Sequence, residues 1–380
     1  MKIVVLGADG YIGWPACLYL SIKGHDVIAI DSLRRRSIDI ELGTNSLVPI
    51  ESFESRVSTW NRISGSNIVA EVADIKDPVV CDHIMTGHRP DAIIHLAEQR
   101  SAPYSMIDQS HAIDTQLSNV TGTLNLLYSI GRHNASTHLV KMGTMGEYGT
   151  PNIDIEEGWL NLSYNGRSDR VPFPKQPGSF YHLSKVFDSQ NIEFCCRTWG
   201  LQATDINQGI VYGQMTDETS LDPKLATRFD YDAVFGTVLN RFVVQASIGH
   251  SLTVYGRGGQ VRTLINISDS IRCLEIACLN PPAVSEYRVF NQFAECLSVS
   301  DLANLVASSH SGQTNIVNIT NPRVELENHY YNPQHTGLAK LGFEPTLLDA
   351  PLVRSLIANV DQHHDRIRAD KMMPNTTWRL

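Results

Sequence analysis

Apolar and polar positions along the chain alternate between two periods. The runs Lys2 to Leu6, Asp26 to Ile30, Ile68 to Ala73, Asp91 to Ala97, His138 to Met142 and Leu201 to Ile206 are short and rich in Val, Ile, Leu and Ala. Such runs read as strands, several of them buried on both faces. Between them lie stretches with helical spacing, among them Gly13 to about Lys23, a long helix through Asn119 and Gly122, and Phe180 to about Trp199. Alternation of this kind predicts an α/β fold with a doubly wound parallel sheet. Two stretches interrupt it. Residues 37–66 form a Ser-rich polar insertion containing Trp60, longer than most strand–helix connections and without an evident role. Residues 152–174, with Asp154, Glu156, Glu157 and paired prolines, read as a loop or hairpin covering a site.

After Ile206 the pattern changes to mixed short strands, helices and loops, as expected of a smaller mixed α/β C-terminal substrate domain. The expected division is a Rossmann domain over 1–206, with later segments at about 235–250 and about 263–292 returning to it, and a mainly substrate-binding domain over 207–380.

The first strand runs directly into Gly7-Ala8-Asp9-Gly10-Tyr11-Ile12-Gly13, a GxxGxxG turn that opens a helix. Glycines there let the backbone approach a pyrophosphate, and the N–H groups at the helix start favour its charge. Gly7, Asp9, Gly10, Tyr11, Ile12 and Gly13 are therefore expected to hold a dinucleotide. Asp31 ends the second strand, where a carboxylate accepts from an adenosine ribose and repels a 2′-phosphate, which favours NAD over NADP. The run Arg34-Arg35-Arg36 follows; it reads as a solvated charge run, as an NADP phosphate site, or, with NAD, as arginines on adenine or pyrophosphate, with Arg35 and Arg36 the candidates. Strand ends complete the expected cofactor set with Asp74, Ile75, Ala97, Gln99 and Gln208, joined by Asn119, which is expected either to kink its helix or to contact water.

The loop Glu98 to Asp108 is dense in polar groups, and Arg100 is its candidate anion ligand, with pairing to Glu98 or Asp108 as the structural alternative. Thr144 lies just beyond a buried strand. Tyr181 and Lys185 are four apart on a helix and share a face. A tyrosine that takes a proton from a sugar hydroxyl needs its pKa lowered by about 3 units, roughly 4 kcal/mol. A lysine charge about 4.5 Å away at an effective dielectric of about 20 supplies that much.

Composition narrows the choices. The chain has 380 residues, 42% of them hydrophobic, enough for a real core. A net charge of −9 opposes non-specific nucleic-acid binding, so an anionic ligand needs local arginines. No apolar run reaches the roughly 20 residues of a membrane span, and, since the start leads straight into a strand, no signal or transit peptide is expected. The seven cysteines form no CxxC pair and are expected to be reduced. The 14 histidines are scattered, and no metal site is expected.

The glycine triplet, Thr144 and Tyr181-x-x-x-Lys185 resemble the extended short-chain dehydrogenase/reductases that modify nucleotide sugars. More narrowly, three segments are similar to the UDP-sulfoquinovose synthase family: Gln99 to Asp108; Gly143-Thr144-Met145-Gly146-Glu147-Tyr148-Gly149-Thr150-Pro151; and Asp205-x-Asn207-Gln208-Gly209-x-Val211-Tyr212-Gly213. The resemblance implies a reaction of UDP-glucose with sulfite, or with a sulfite-donating protein, to give UDP-sulfoquinovose, with bound NAD as oxidant and then reductant. It implies catalytic roles for Thr144, Tyr181 and Lys185. It also implies a UDP-sugar site lined by Arg100, Thr144, Asn207, Val211, Arg228, Thr253, Tyr255, Gln260, Arg262 and Arg323. Related dehydratases carry an Asp-Glu pair after the threonine; Met145-Gly146 stands here, with Glu147 one later. Glu147 and His182 are the candidates for the further proton transfers, and Met145 joins the catalytic set. Rival readings are a UDP-sugar 4-epimerase or 4,6-dehydratase, and a non-catalytic NAD sensor. A homodimer or higher homo-oligomer is expected, without membrane insertion, in a bacterial cytoplasm or, for a processed chain, a plastid stroma.

Overall fold

The computed structural model describes residues 1–374 and 376–378, leaving positions 375, 379 and 380 of the expected C-terminal domain outside the described residues. Seven strands form one parallel sheet: β1 (Lys2–Leu6), β2 (Asp26–Asp31), β3 (Val69–Val72), β4 (Ala92–His95), β5 (His138–Thr144), β6 (Gln202–Gln208) and β7 (Tyr287–Gln292). Their order is β7-β6-β5-β4-β1-β2-β3, so β1 lies between β2 and β4, in register Lys2 to Asp26 and Ile3 to Ala92. The chain direction reverses its march across the sheet after β3, which opens a crevice at the strands' carboxyl ends.

The period of two explains why these strands read as unbroken apolar runs. Ile3 and Val5 enter one core, Val4 and Leu6 the other. The helices preceding the second half of the chain are α1 (Gly13–Ile22), α2 (Arg34–Leu42), α3 (Phe53–Ser64), α4 (Pro78–His83), α5 (Gln109–Gln116), α6 (Gly122–His133) and α7 (Phe180–Trp199). α1, α3 and the helix Ile267–Leu279 cover one face; α4, α6 and α7 cover the other.

Residues 37–66 are not a loop: most of α2 and all of α3 lie there. Trp60 is fully buried in the first core and donates from Nε1 to Ser21 Oγ at 2.8 Å. Arg56, also fully buried, stacks on Trp14 and reaches Asp9 Oδ1 at 2.7 Å. The insertion thus roofs α1 and fixes the glycine turn, a role invisible in its polar composition.

The long helix expected around Asn119 is divided by a wider π-type turn, Leu117–Thr121, between α5 and α6. Asn119 is buried there and held by protein groups: its amide grips the backbone N and O of Gln99 at 2.8 and 3.0 Å and donates to Ser184 Oγ at 2.9 Å.

A second core gathers the helices Val238–Ser247, Val299–Ser309 and Ala350–Asp361 with the strand Leu252–Tyr255. The helix within 235–250 therefore belongs to this core and does not return to the main sheet. Ile267–Leu279 packs in the first core, and β7 pairs with β6. Residues 159–172 form an antiparallel hairpin, Trp159–Tyr164 with Arg167–Pro172, whose strands are largely exposed.

Candidate active site

A cavity of about 320 Å³ opens at the carboxyl ends of β1 to β6. Its first wall is the glycine turn. Gly7 has φ +83°, and a Cβ on it would lie 2.6 Å from Leu96 O; a Cβ on Gly13 would lie 2.1 Å from Gly7 O. No side chain caps the start of α1. An uncapped helix N-terminus behind a turn that excludes side chains fits a pyrophosphate. Gly7, Gly10, Tyr11, Ile12, Gly13, Asp31, Arg35, Asp74, Ile75, Ala97, Gln99, Tyr181, Lys185 and Gln208 all line the cavity, as expected of a dinucleotide site. Asp31 accepts from Asp9 N at 2.9 Å and Leu33 N at 2.6 Å; burial, then the Asp9 charge, push its pKa up to about 6.

Three expected cofactor ligands stand behind the wall instead. Asp9 is bound by Arg36 Nε at 2.6 Å and by Arg56, so Asp9 and Arg36 clamp the turn from outside the cavity. Asn119 acts through Gln99, as described above. Arg34 is exposed and lines the cavity, Arg35 and Arg36 are partly buried, and all three are engaged by carboxylates. Arg34 pairs with Asp114 at 3.2 Å, and Arg35 with Asp39 at 2.5 Å and Asp230 at 3.2 Å while stacking on Phe235. Arg100 pairs with neither Glu98 nor Asp108 but with Asp230 at 2.5 Å. Arg228 joins the same group through Asp39 at 2.5 Å and Asp230 at 3.3 Å. Burial opposes ionisation of Asp230, yet Arg35, Arg228 and Arg100 hold its pKa well below the usual carboxylate range. Arg35, Arg100 and Arg228 set against Asp39 and Asp230 leave one positive charge on the cavity wall, suited to a phosphate-bearing ligand.

Thr144 at the end of β5, with Tyr181 and Lys185 on α7, forms the inner wall. Ser179 caps α7 by accepting from His182 N at 3.2 Å, and Ser105 Oγ accepts from Tyr181 N at 3.0 Å. Lys185 Nζ donates to Met142 O at 2.6 Å and lies 5.9 Å from the centre of the Tyr181 ring. It also forms an ion pair with Glu98, a buried carboxylate on the same wall. That pair corrects the simple two-residue electrostatics. Burial raises the Tyr181 pKa, Lys185 lowers it, Glu98 raises it again, and the net direction is upward. His95, which burial keeps neutral with a pKa near 4, and Asp188, whose carboxyl burial and Glu98 hold far above its ordinary range, stand behind Glu98. Glu98 gives little warning in the sequence, because a loop glutamate ordinarily faces water.

Glu147 is fully buried and faces away from the cavity. It accepts from Thr144 N at 3.3 Å, Ser189 Oγ at 2.9 Å, Lys141 Nζ at 3.3 Å and Lys175 Nζ at 2.5 Å. Burial opposes its ionisation, but Lys141 and Lys175 bring its pKa down to about 2. This corrects its expected part as a base: the carboxylate is a weak base with no free face. Lys141 also reaches Asp205 at 3.4 Å, and Tyr287 OH donates to Asp205 at 2.7 Å. The sign of this network in the sequence is one lysine inside a buried strand. Met145 is likewise no reacting group; it packs with Tyr148, Ile155, Phe173 and Phe293. His182 is partly buried, its Nδ1 3.0 Å from Ser179 Oγ. Burial, then Arg323, lowers its pKa to about 4, so the imidazole is neutral.

Of the expected sugar-nucleotide ligands, Arg100, Thr144, Val211 and Arg228 line the cavity. Asn207 does not: it is buried and donates to Tyr148 OH at 2.8 Å. Thr253 is also spent internally, accepting at Oγ1 from Gln245 Nε2 at 2.8 Å. Tyr255, Gln260, Arg262 and Arg323 form a separate group. Arg241 donates to Tyr255 OH at 2.5 Å, Gln260 to Tyr255 O at 3.2 Å, and Arg262 to Glu325 at 2.6 Å. Arg323 and Arg262 lie close enough for their charges to act on His182, the neighbour of Tyr181, but none of the four lines the cavity. No hairpin residue lines the cavity, so 152–174 does not cover it.

Comparison with known proteins places these features in context. Residues 3–291 match the NAD dependent epimerase/dehydratase family. The chain is 51% identical over its full length to the chloroplastic UDP-sulfoquinovose synthase of Spinacia oleracea, spanning 79% of that protein. It is 43% identical to the UDP-sulfoquinovose synthase of Sulfolobus acidocaldarius, covering all of this chain and 98% of that one. In structure it is similar to UDP-glucose 4-epimerase of Thermotoga maritima, with a TM-score of 0.71, 20% identity and coverage of 95% and 99% of the two chains.

Proposed function

The chain belongs to the NAD dependent epimerase/dehydratase family and, within it, to the UDP-sulfoquinovose synthases, and on that premise we propose that it makes UDP-sulfoquinovose and water from UDP-glucose and sulfite. The observation that carries the reading is the convergence of Thr144, Tyr181 and Lys185 on one wall of a cavity whose far end is the glycine cradle and Asp31. In this assignment residues 1–206 with β7 and Ile267–Leu279 hold NAD, and the second core with the Arg262–Arg323 group holds the UDP-sugar. The bound nicotinamide supplies a reversible hydride acceptor. Tyr181 takes the proton of the C4 hydroxyl and later returns it, Thr144 hydrogen-bonds the same oxygen, and Lys185 keeps Tyr181 in place. The C4 ketone acidifies C5–H; loss of that proton and of the C6 hydroxyl as water leaves an unsaturated ketone, sulfite attacks at C6 as a proton returns to C5, and hydride and the Tyr181 proton then return to C4. His182 is the candidate for these proton transfers, since Glu147 is engaged elsewhere.

Mass spectrometry of products from UDP-glucose with and without sulfite tests the reading. A sulfonated UDP-sugar that forms only with sulfite is expected. A 4-epimer or a 4-keto-6-deoxy product without sulfite replaces it with an epimerase or dehydratase, and failure of UDP-glucose to reduce bound NAD replaces it with a sensor.

A homodimer is part of the proposal. Phe180, Phe187 and Phe194, spaced by seven on α7, are 45%, 40% and 48% exposed beside Ile113 and Leu117 at 48% and 57%, and this apolar stripe is the face assigned to the second copy. Among the described residues no helix is long and apolar enough to cross a membrane, consistent with placement in a cytoplasm or plastid stroma.

A further inference from the structure

The sheet ends at β3, which is hydrogen-bonded only to β2. Beside this edge α4 ends at His83 and continues without a break into a wider π-type turn, Ile84–His88. In an α-helix, residues five apart point about 140° away from one another. The wider turn closes after about one more residue and brings positions five apart toward the same side. His83 and His88 consequently face each other, with ring centres 5.3 Å apart and planes at 76°. Gly87 makes room, since a Cβ there would lie 3.0 Å from His83 Cε1.

Glu71 on β3 closes the group. Its Oε1 lies 2.9 Å from His88 Nε2 and its Oε2 lies 3.9 Å from His83 Nε2. One donor atom from each of the three residues falls within 4.8 Å of the other two. His88 Nε2 is shielded from solvent yet makes no well-directed hydrogen bond, despite its closeness to Glu71. Its nitrogen is near the carboxylate but not aimed along it.

We propose that Glu71, His83 and His88 bind a divalent transition-metal ion of the zinc type at the edge of the sheet. Two imidazoles and one carboxylate are a ligand set for Zn²⁺, and solvent completes the tetrahedron. Imidazole ligands favour Zn²⁺ over Mg²⁺ or Ca²⁺. Bonds of about 2.0 Å in a tetrahedron require ligand atoms about 3.3 Å apart. The three donor atoms lie within 4.8 Å of one another, and the 60% exposed His83 side chain can close the remaining separations. The ion would staple β3 to the connection that follows α4. Ala73, Asp74 and Ile75, which line the cofactor cavity, follow directly after β3. None of the three ligands belongs to the catalytic wall.

The full chain, first stripped with a chelator, is titrated with Zn²⁺ by calorimetry and with Co²⁺ by visible absorption. One ion per chain is expected, with the absorption of four-coordinate Co²⁺ and a rise in Tm on adding Zn²⁺. Glu71→Gln, His83→Ala and His88→Ala should each weaken binding by roughly tenfold or more, whereas His133→Ala, which removes a histidine paired with Asp82, should not. His83 is exposed, so its variant tests the site without threatening the fold. Absence of stoichiometric binding, or equal binding by wild type and His83→Ala, would overturn the proposal and leave Glu71 and His88 an ion pair only.

Discussion

Glu98 meets Lys185 in the wall of the cofactor cavity, carboxylate against ammonium, and both side chains are almost completely shielded from solvent. Burial works against the charge of Lys185, but Glu98 and Tyr181 together more than offset it and the lysine pKa is raised. The same carboxylate cancels much of the field that would acidify Tyr181. Glu98 thus opposes the ionisation that Tyr181 needs before it can take a proton from the C4 hydroxyl in the proposed reaction.

Glu98→Gln should leave Lys185 charged without its partner and lower the Tyr181 pKa. The expected result is a shift of the pH profile for single-turnover NAD reduction by UDP-glucose toward lower pH, on the order of one unit. A stability loss of about 3 kcal/mol accompanies it, from an unpaired buried lysine. An unmoved profile would show that Glu98 does not control Tyr181.

Glu147→Gln should harm stability and spare chemistry. With its folded pKa near 2 against an ordinary 4.5, Glu147 contributes stability that is fully present above pH 4.5 and lost as pH falls toward 2. The difference is equivalent to about 3 kcal/mol. Thermal melts at neutral pH should show the loss, while solvent deuterium uptake at C5 of UDP-glucose, corrected for folded protein, continues. Loss of exchange in fully folded variant would restore Glu147 as the base.

Asp31 carries the opposite sign. Its folded pKa is raised from 3.8 to about 6, so its stabilising contribution to the free protein is present below pH 3.8 and lost as pH rises through 6. Ribose hydroxyls donating to it favour the ionised form, so NAD binding near pH 5.5 should release a proton. Calorimetry in buffers of different ionisation heat should detect up to one proton released, and Asp31→Asn should abolish the release. Identical proton counts in both proteins would remove Asp31 from the ribose site.

Gly146 and His182 share one space: a Cβ on Gly146 would lie 2.3 Å from His182 Nε2. This is the physical reason that an acidic residue cannot occupy this position with His182 as it stands. Gly146→Ala should displace the imidazole and behave like His182→Ala, with C4 oxidation retained and formation of the sulfonated product reduced about 10²-fold or more. Full product formation by His182→Ala would exclude it from the later proton transfers.

The sheet is written in local pattern. A period of two in strands buried on both faces, a glycine turn that tolerates no side chain, and Tyr181 and Lys185 one turn apart are local facts, so the placing of Gly7, Asp31, Thr144 and Lys185 around one cavity follows from the chain order of these elements. Tertiary structure decided which charges neutralise which, because ion pairing depends on distances that span the chain. Asp9 joins Arg56 across 47 residues, and Arg100 joins Asp230 across 130. Glu147, placed beside Thr144 by sequence, is turned inward by Lys141 and Lys175. Glu98, one polar residue among many in its loop, is turned onto Lys185. A side chain's type is written locally, but its protonation state is set by the buried neighbours that folding brings to it.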